Sequence, residues 1–200
     1  MKINAIQLKQ LIEASLFVSS KPQTLTQLKE NVLSDFVVSR DKIKIALTEL
    51  QQDYQERGIQ LVQVAGGFRF QTAEFLSPML QTIWEKKSPK SPKYSKATLE
   101  TLAVIAYQQP VTRGDIEKVR GVTVNSHIMK TLTDRHWIKT VGHREVPGRP
   151  ALYATTTEFL SYFGLSSLTE LPALSDPESL QALFNPKISV PETKEESTNE

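Results

Sequence analysis

Two short segments of this chain, "PQTLTQL" at 22–28 and "PVTRGDI" at 110–116, share the pattern Pro-x-Thr-x-x-x-[Leu/Ile] at an offset of 88 residues. Each occupies the same place in a longer order of hydrophobic periods, and that order turns a weak match into a constraint. A repeated order of elements calls for two similar folding units in tandem.

The first round begins with residues 4–19, where Leu8, Leu11, Ile12 and Leu16 share a helical face. A second, shorter helix is expected over 24–33. A third is expected over 40–57, with Ile43, Ala46, Leu47, Leu50 and Tyr54 as its stripe. Then "IQLVQVAGGFRFQT" places two β-like runs around Gly66-Gly67, a hairpin signal because both turn residues can take positive φ. "EFLSPMLQTIWE" closes the unit as a further helix, with Pro78 in its first turn.

"KKSPKSPKY" interrupts the pattern with Pro, Ser and Lys, a composition that suits an extended, self-repelling linker. The second round follows. Residues 95–109 align Leu99, Leu102, Ala103 and Ala106 and stop at Pro110. Thr112 can N-cap a second helix to about Val119, and Asn125 or Ser126 a third, with Ile128 and Leu132 inward. "WIKTVGHREVPGRPALYATT" is the second hairpin. Pro147-Gly148 supplies the central pair of a type II turn. Pro150 lacks an amide donor, so its strand should lie at an edge or begin just after it. A last helix is expected near Phe159–Phe163, broken at Gly164.

These elements predict a mainly α fold with small β-hairpins (α+β), arranged as two tandem winged helix-turn-helix domains. The expected divisions are 1–86 for the first domain, 87–94 for the linker and 95–174 for the second domain. Residues 175–200 form an acidic tail whose composition predicts disorder.

The composition excludes several classes of function. There is no cysteine, hence no disulfide, thiolate site or cysteine nucleophile, and a reducing cytoplasm is the expected setting. No apolar run is long enough to span a membrane. His127, His136 and His143 lack ligand spacing, and neither HExxH, GxSxG nor a phosphate-binding glycine loop occurs. No catalytic residue, metal or cofactor is therefore expected.

Charge points weakly toward nucleic acid. Residues 94–163 hold nine basic and six acidic side chains, while 164–200 hold two basic and seven acidic. A winged helix can lay its third helix in a groove and its wing on phosphates. In the second domain Lys130, Arg135, Arg144 and Arg149 are the candidate contacts. The matching helix of the first domain carries Asp41, Glu49, Asp53 and Glu56, which would repel phosphates. Any DNA contact is expected to be weak or indirect.

Three runs then become specific: "LETLAVIAYQQPVTRGDIEKVRGV", "IMKTLTDRHWIKTVGHREVPGRPALYATT" and "FLSYFGLSSLTELP". Over roughly 97–172 they resemble the segregation and condensation protein B family. The resemblance implies tandem winged helices, a homodimer formed mainly through the first domain, and binding to the kleisin subunit, segregation and condensation protein A. Through the kleisin it implies association with the SMC ATPase, which would carry the ATP hydrolysis, in chromosome condensation and segregation at the nucleoid. Tyr107, Trp137, Tyr153 and Phe163 are candidate anchors for a kleisin helix, with core packing the commoner role for any one of them taken singly. The competing expectation is a sequence-specific DNA-binding transcriptional regulator with two winged helices.

Overall fold

The computed structural model describes residues 1–85 and 94–173. The expected linker 87–94, apart from Tyr94, and the expected tail 175–200 lie outside the described residues.

Helix α1 (Ala5–Val18) opens with Asn4, whose side chain accepts from the Gln7 amide while the Gln7 side chain accepts from the Asn4 amide. This reciprocal cap satisfies two amides that a helix start otherwise leaves free. A short α2 (Leu25–Gln27) continues into a π-helical turn, Leu28–Val32. Helix α3 (Arg40–Asp53) crosses α1, and its buried face is Ile43, Ala46, Leu47 and Leu50. It ends four residues before the expected limit, because the backbone leaves the helical region at Tyr54.

Strands β1 (Ile59–Val64) and β2 (Gly67–Thr72) pair antiparallel, with Val64 opposite Gly67. The turn is therefore Ala65-Gly66, one residue earlier than expected, with φ of 52° and 72°. Gly67 belongs to the strand, and a Cβ there would come within 2.8 Å of the Gln23 carbonyl carbon. Register beside Gln23, and not glycine content, places this turn. A 3-10 turn and α4 (Ser77–Glu85) follow.

In the second unit α5 (Lys96–Gln108) buries Thr98, Thr101, Leu102, Ile105 and Ala106. The face is rotated from the expected one. Two threonines are tolerated inside because Thr101 Oγ1 donates to the Ala97 carbonyl (2.8 Å) and Thr98 Oγ1 meets Ser95 Oγ (2.8 Å). Strand β3 (Val111–Thr112), α6 (Arg113–Arg120) and α7 (Ser126–Asp134) lead to β4 (Ile138–His143), β5 (Ala151–Thr155) and α8 (Thr157–Phe163). The sheet order is β3-β5-β4. Its strand after Pro150 begins just past the proline, as expected, yet it is the central strand. The residue pair Val111-Thr112 supplies the neighbour that sequence periodicity is too short to reveal.

The shared motif now has a physical meaning. In each unit the residue after proline bridges to the second hairpin strand: Gln23 to Phe68, and Val111 to Tyr153. The threonine then N-caps the next helix, Thr24 with Gln27 and Thr112 with Asp115. The final position, Leu28 or Ile116, is fully buried. Strand contact, cap and core residue thus follow in order, which accounts for the fixed spacing.

Two hydrophobic cores result, each drawn from one half of the chain. Leu8, Ile12, Leu16, Leu28, Ile43 and Leu47 centre the first, and Leu102, Ile105, Ile116, Leu132, Trp137 and Phe159 the second. Each fully buried aliphatic or Phe side chain contributes roughly 1.5–3 kcal/mol. The units meet through polar contacts at the first hairpin: the Ala65 amide donates to the Leu165 carbonyl (2.8 Å) and Ser166 Oγ to the Gln63 carbonyl (2.9 Å).

Candidate partner-binding surfaces

The second hairpin is built around Arg144. Its amide donates to the Pro150 carbonyl (2.9 Å), closing the loop, while its guanidinium reaches back to α6. There Nη1 and Nη2 donate to Asp115 Oδ1 (3.0 Å) and Oδ2 (2.7 Å). Asp115 also accepts from the Thr112 amide (2.9 Å) and hydroxyl (2.8 Å). Arg144 first, and then the Thr112 backbone, hold the Asp115 carboxyl well below the usual carboxylate range. Arg144 braces the hairpin against the helix cap, a role that needs no external ligand.

At the tip the Arg149 amide donates to the Val146 carbonyl (2.9 Å) across Pro147-Gly148, with Gly148 at φ 85°. Arg149 itself takes φ 38°, and its Nη2 donates to Glu145 (2.9 Å) in the open. Of the four cations expected near phosphate, Lys130 and Arg149 project from α7 and the loop between β4 and β5. Arg135 stands over the Tyr94 ring, 5.6 Å from its centre.

The aromatic candidates separate in the same way. Trp137, one of the candidate anchors, takes the core-packing alternative and is only 3% exposed. It packs between Tyr94 (4.9 Å), Tyr162 (4.5 Å) and Phe163 (5.3 Å), because the residue after the positive-φ His136 turns into the core rather than along the surface. Tyr107 is half-buried and donates its hydroxyl to the Pro172 carbonyl (2.6 Å). Tyr153 lies half-buried on β5 opposite Val111 and Thr140. Phe163 is likewise half-buried, at the end of α8. The exposed aromatic of this group is Tyr162, which sequence reasoning passed over.

The first unit leaves more apolar surface outside. Ile6, Phe17 and Val18 are exposed on α1, and Phe75, Met79 and Ile83 on and before α4. The latter three recur every fourth residue, so they form a stripe on one side of the turn and helix. A groove of about 220 Å³ runs between Ala14 and Phe17 of α1 and Tyr54, Ile59 and Phe70. Tyr54 and Phe70 meet at 4.8 Å in a tilted pair, and the Tyr54 hydroxyl donates to the Glu13 carboxylate. Arg57 covers the Tyr54 ring at 4.6 Å. These contacts hold the groove floor in place. Helix α3 turns Glu49 and Asp53 onto Lys9 of α1 (3.5 and 2.7 Å).

Residues 10–174 match the family model described as segregation and condensation complex subunit ScpB. A segregation and condensation protein B homolog of Coxiella burnetii is 49% identical over 185 residues, covering 91% of this chain and 87% of that protein. Segregation and condensation protein B of Geobacillus kaustophilus is 44% identical, covering 84% of this chain and 76% of that protein. Among solved structures, ScpB from Mycobacterium tuberculosis is 31% identical, covers 82% of this chain and 99% of that chain, and has a TM-score of 0.39. A dimer of an ScpB N-terminal domain complexed with ScpA peptide is 32% identical, covers 45% of this chain and 100% of that chain, with a TM-score of 0.35.

Proposed function

The chain belongs to the family of segregation and condensation complex subunit ScpB, and from that premise we propose that it is a non-enzymatic adaptor of an SMC–kleisin complex. In this reading residues 1–86 form the dimerising domain and 95–174 the second domain. The homodimer holds the kleisin, segregation and condensation protein A. Through the kleisin it meets the SMC ATPase, where ATP hydrolysis takes place, and so supports chromosome condensation and segregation in the cytoplasm, at the nucleoid.

One observation carries the reading: large apolar side chains stand outside the first unit at helical spacing. Phe17 is 74% exposed and Met79 64%. Apolar surface of this kind, ordered along helices, suits burial against protein partners. The stripe of Phe75, Met79 and Ile83 is the proposed face for a second copy. The groove beside Phe17 fits the apolar edge of an amphipathic kleisin helix. Tyr107, Tyr153 and Tyr162 extend the proposed kleisin contact onto the second unit. Lys130, Arg135 and Arg149 are left for weak contact with DNA.

The transcriptional-regulator reading is less well supported. Arg144 is closed on Asp115, and Glu49 and Asp53 keep the third helix of the first unit acidic.

Light scattering on the eluting protein, combined with capture of the kleisin central segment, tests the adaptor reading. The expected result is a dimer that captures the segment at micromolar concentration. Met79→Glu with Ile83→Glu should yield a folded monomer, and Phe17→Glu should weaken capture. A monomeric wild-type chain that ignores the kleisin yet binds a defined duplex tightly would overturn it.

A further inference from the structure

The two units are joined along α8 and the loop that follows it. Glu158 and Ser161 lie three residues apart on α8, so both point to one side of the helix. The chain then turns at Gly164 (φ 69°) and presents Leu165 and Ser166 to the same neighbour. The first unit meets each of these positions. Lys21 stands 3.7 Å from Glu158. Arg69 donates Nη1 to Ser161 Oγ (2.9 Å), the Ala65 amide donates to the Leu165 carbonyl (2.8 Å), and Ser166 Oγ donates to the Gln63 carbonyl (2.9 Å). Beside these contacts lies a cleft of about 380 Å³, lined by Lys21 and Arg69 of the first unit and by Arg135, Trp137 and Tyr162 of the second.

What joins the units is polar. Neither hydrophobic core takes a side chain from the other half of the chain, so parting the units leaves both cores intact. Each hydrogen bond across the joint exchanges for one to water when the units separate, and contributes only the small difference. The Lys21–Glu158 pair is loose and its side chains are 77% and 43% exposed, so it adds little. Closure also has a cost. Arg69 is half-buried at the joint, and burial pushes its guanidinium below the ordinary arginine value, which offsets part of what its bond to Ser161 gains. Contacts of this kind favour the closed arrangement by a small margin, the condition under which two states share the population.

We infer that α8 and the first hairpin form a polar latch. The protein passes between a closed state, with Arg69 on Ser161, and an open state in which both units keep their folds but lose their fixed relation. On the second unit the contacts fall within residues 158–166, so they engage and release as a set. Ser161 and Ser166 contribute hydroxyls, which take partners from water as readily as from protein. The latch fixes a spacing with functional weight. Under the adaptor reading, the groove beside Phe17 and the exposed Tyr162 contact the same kleisin, and only the closed state holds them at a set distance. That consequence rests on the adaptor reading, whereas the latch itself does not.

The full chain tests this directly. It has no cysteine, so Thr48→Cys on α3 with Lys118→Cys on α6 gives one spin label per unit, both at exposed positions. Double electron–electron resonance on labelled chain diluted in excess unlabelled protein reads the distance within one molecule. The expected result is a narrow distance from the closed state beside a broad one from the open state. Ser161→Ala should raise the open-to-closed ratio about tenfold, the scale of one hydrogen bond to a charged group. Ser166→Ala, which removes a bond between neutral groups, should raise it by a smaller factor, and both together by more than either. Arg135→Gln should leave the ratio unchanged, since Arg135 stands over Tyr94 of its own unit. Far-UV circular dichroism checks that each variant keeps its helices. A single narrow distance unmoved by loss of both serines would show a rigid joint and overturn the inference. So would a wild-type distribution with no narrow component, or a ratio that Arg135→Gln alters as much as Ser161→Ala. A narrow distance that vanishes on dilution would place the contact between two copies and also overturn it. None of these results touches dimer mass or kleisin capture, which test the adaptor reading separately.

Discussion

Arg144 and Asp115 form a two-pronged ion pair, 3.0 and 2.7 Å, that joins the second hairpin to the helix cap beneath it. It makes an arginine expected to contact DNA a structural brace. Arg144→Ala should lower the melting temperature and leave kleisin capture proportional to the folded fraction. If capture falls while folding is intact, Arg144 touches the partner.

The same pair predicts a pH dependence. The Asp115 carboxyl is held below its unfolded value, so the stability it contributes is complete above the ordinary range near pH ~4 and declines as pH falls toward the folded value. Asp115→Asn should therefore melt several degrees lower than wild type at pH 7, with the gap narrowing in acid. Melting curves across that range check it. A gap that widens in acid contradicts the assignment.

Thr24 and Thr112 both cap helices with a reciprocal partner at the third position. Each change to Ala should cost about 1 kcal/mol, and Ser should restore much of it. Thr112 should be the more sensitive, since its hydroxyl and amide both bond the carboxylate that holds Arg144. Urea unfolding measures the difference.

The first hairpin separates two kinds of glycine. Ala65 sits at φ 52°, a region costing roughly 1–2 kcal/mol for a residue with a side chain, so Ala65→Gly should be neutral or stabilising. Gly67→Ala should destabilise, because the new methyl meets the Gln23 backbone and breaks the Gln23–Phe68 bridge. Thermal melts should place Gly67→Ala below wild type and Ala65→Gly at or above it.

Lys130 and Arg149 are two of the three cations proposed for weak DNA contact. Replacing both with Ala should reduce the salt slope of any duplex binding by about two and leave kleisin capture unchanged. An unchanged slope would remove these residues from the duplex.

The element order was legible wherever local chemistry decides it. Asn4, Thr24, Ser39, Ser95, Thr112, Asn125 and Thr156 all cap helices. Side-chain acceptors for free amides act over three residues, so they leave a readable trace. The site was less legible. Lys130, Arg144 and Arg149 look equivalent as letters, yet Arg144 closes on an acid 29 positions away. Trp137 and Tyr162 are both aromatic, yet one is buried and the other 59% exposed.

By itself the sequence determined the helices, both hairpins, their repetition and the family, because caps, turns and periodic faces are local. Tertiary structure alone decided that β3 makes β5 central, that Gly67 is a close-approach residue, and that Arg69 and Arg135 share a cleft. These depend on which distant backbone or charge comes within a few ångströms, and no spacing along the chain encodes that distance.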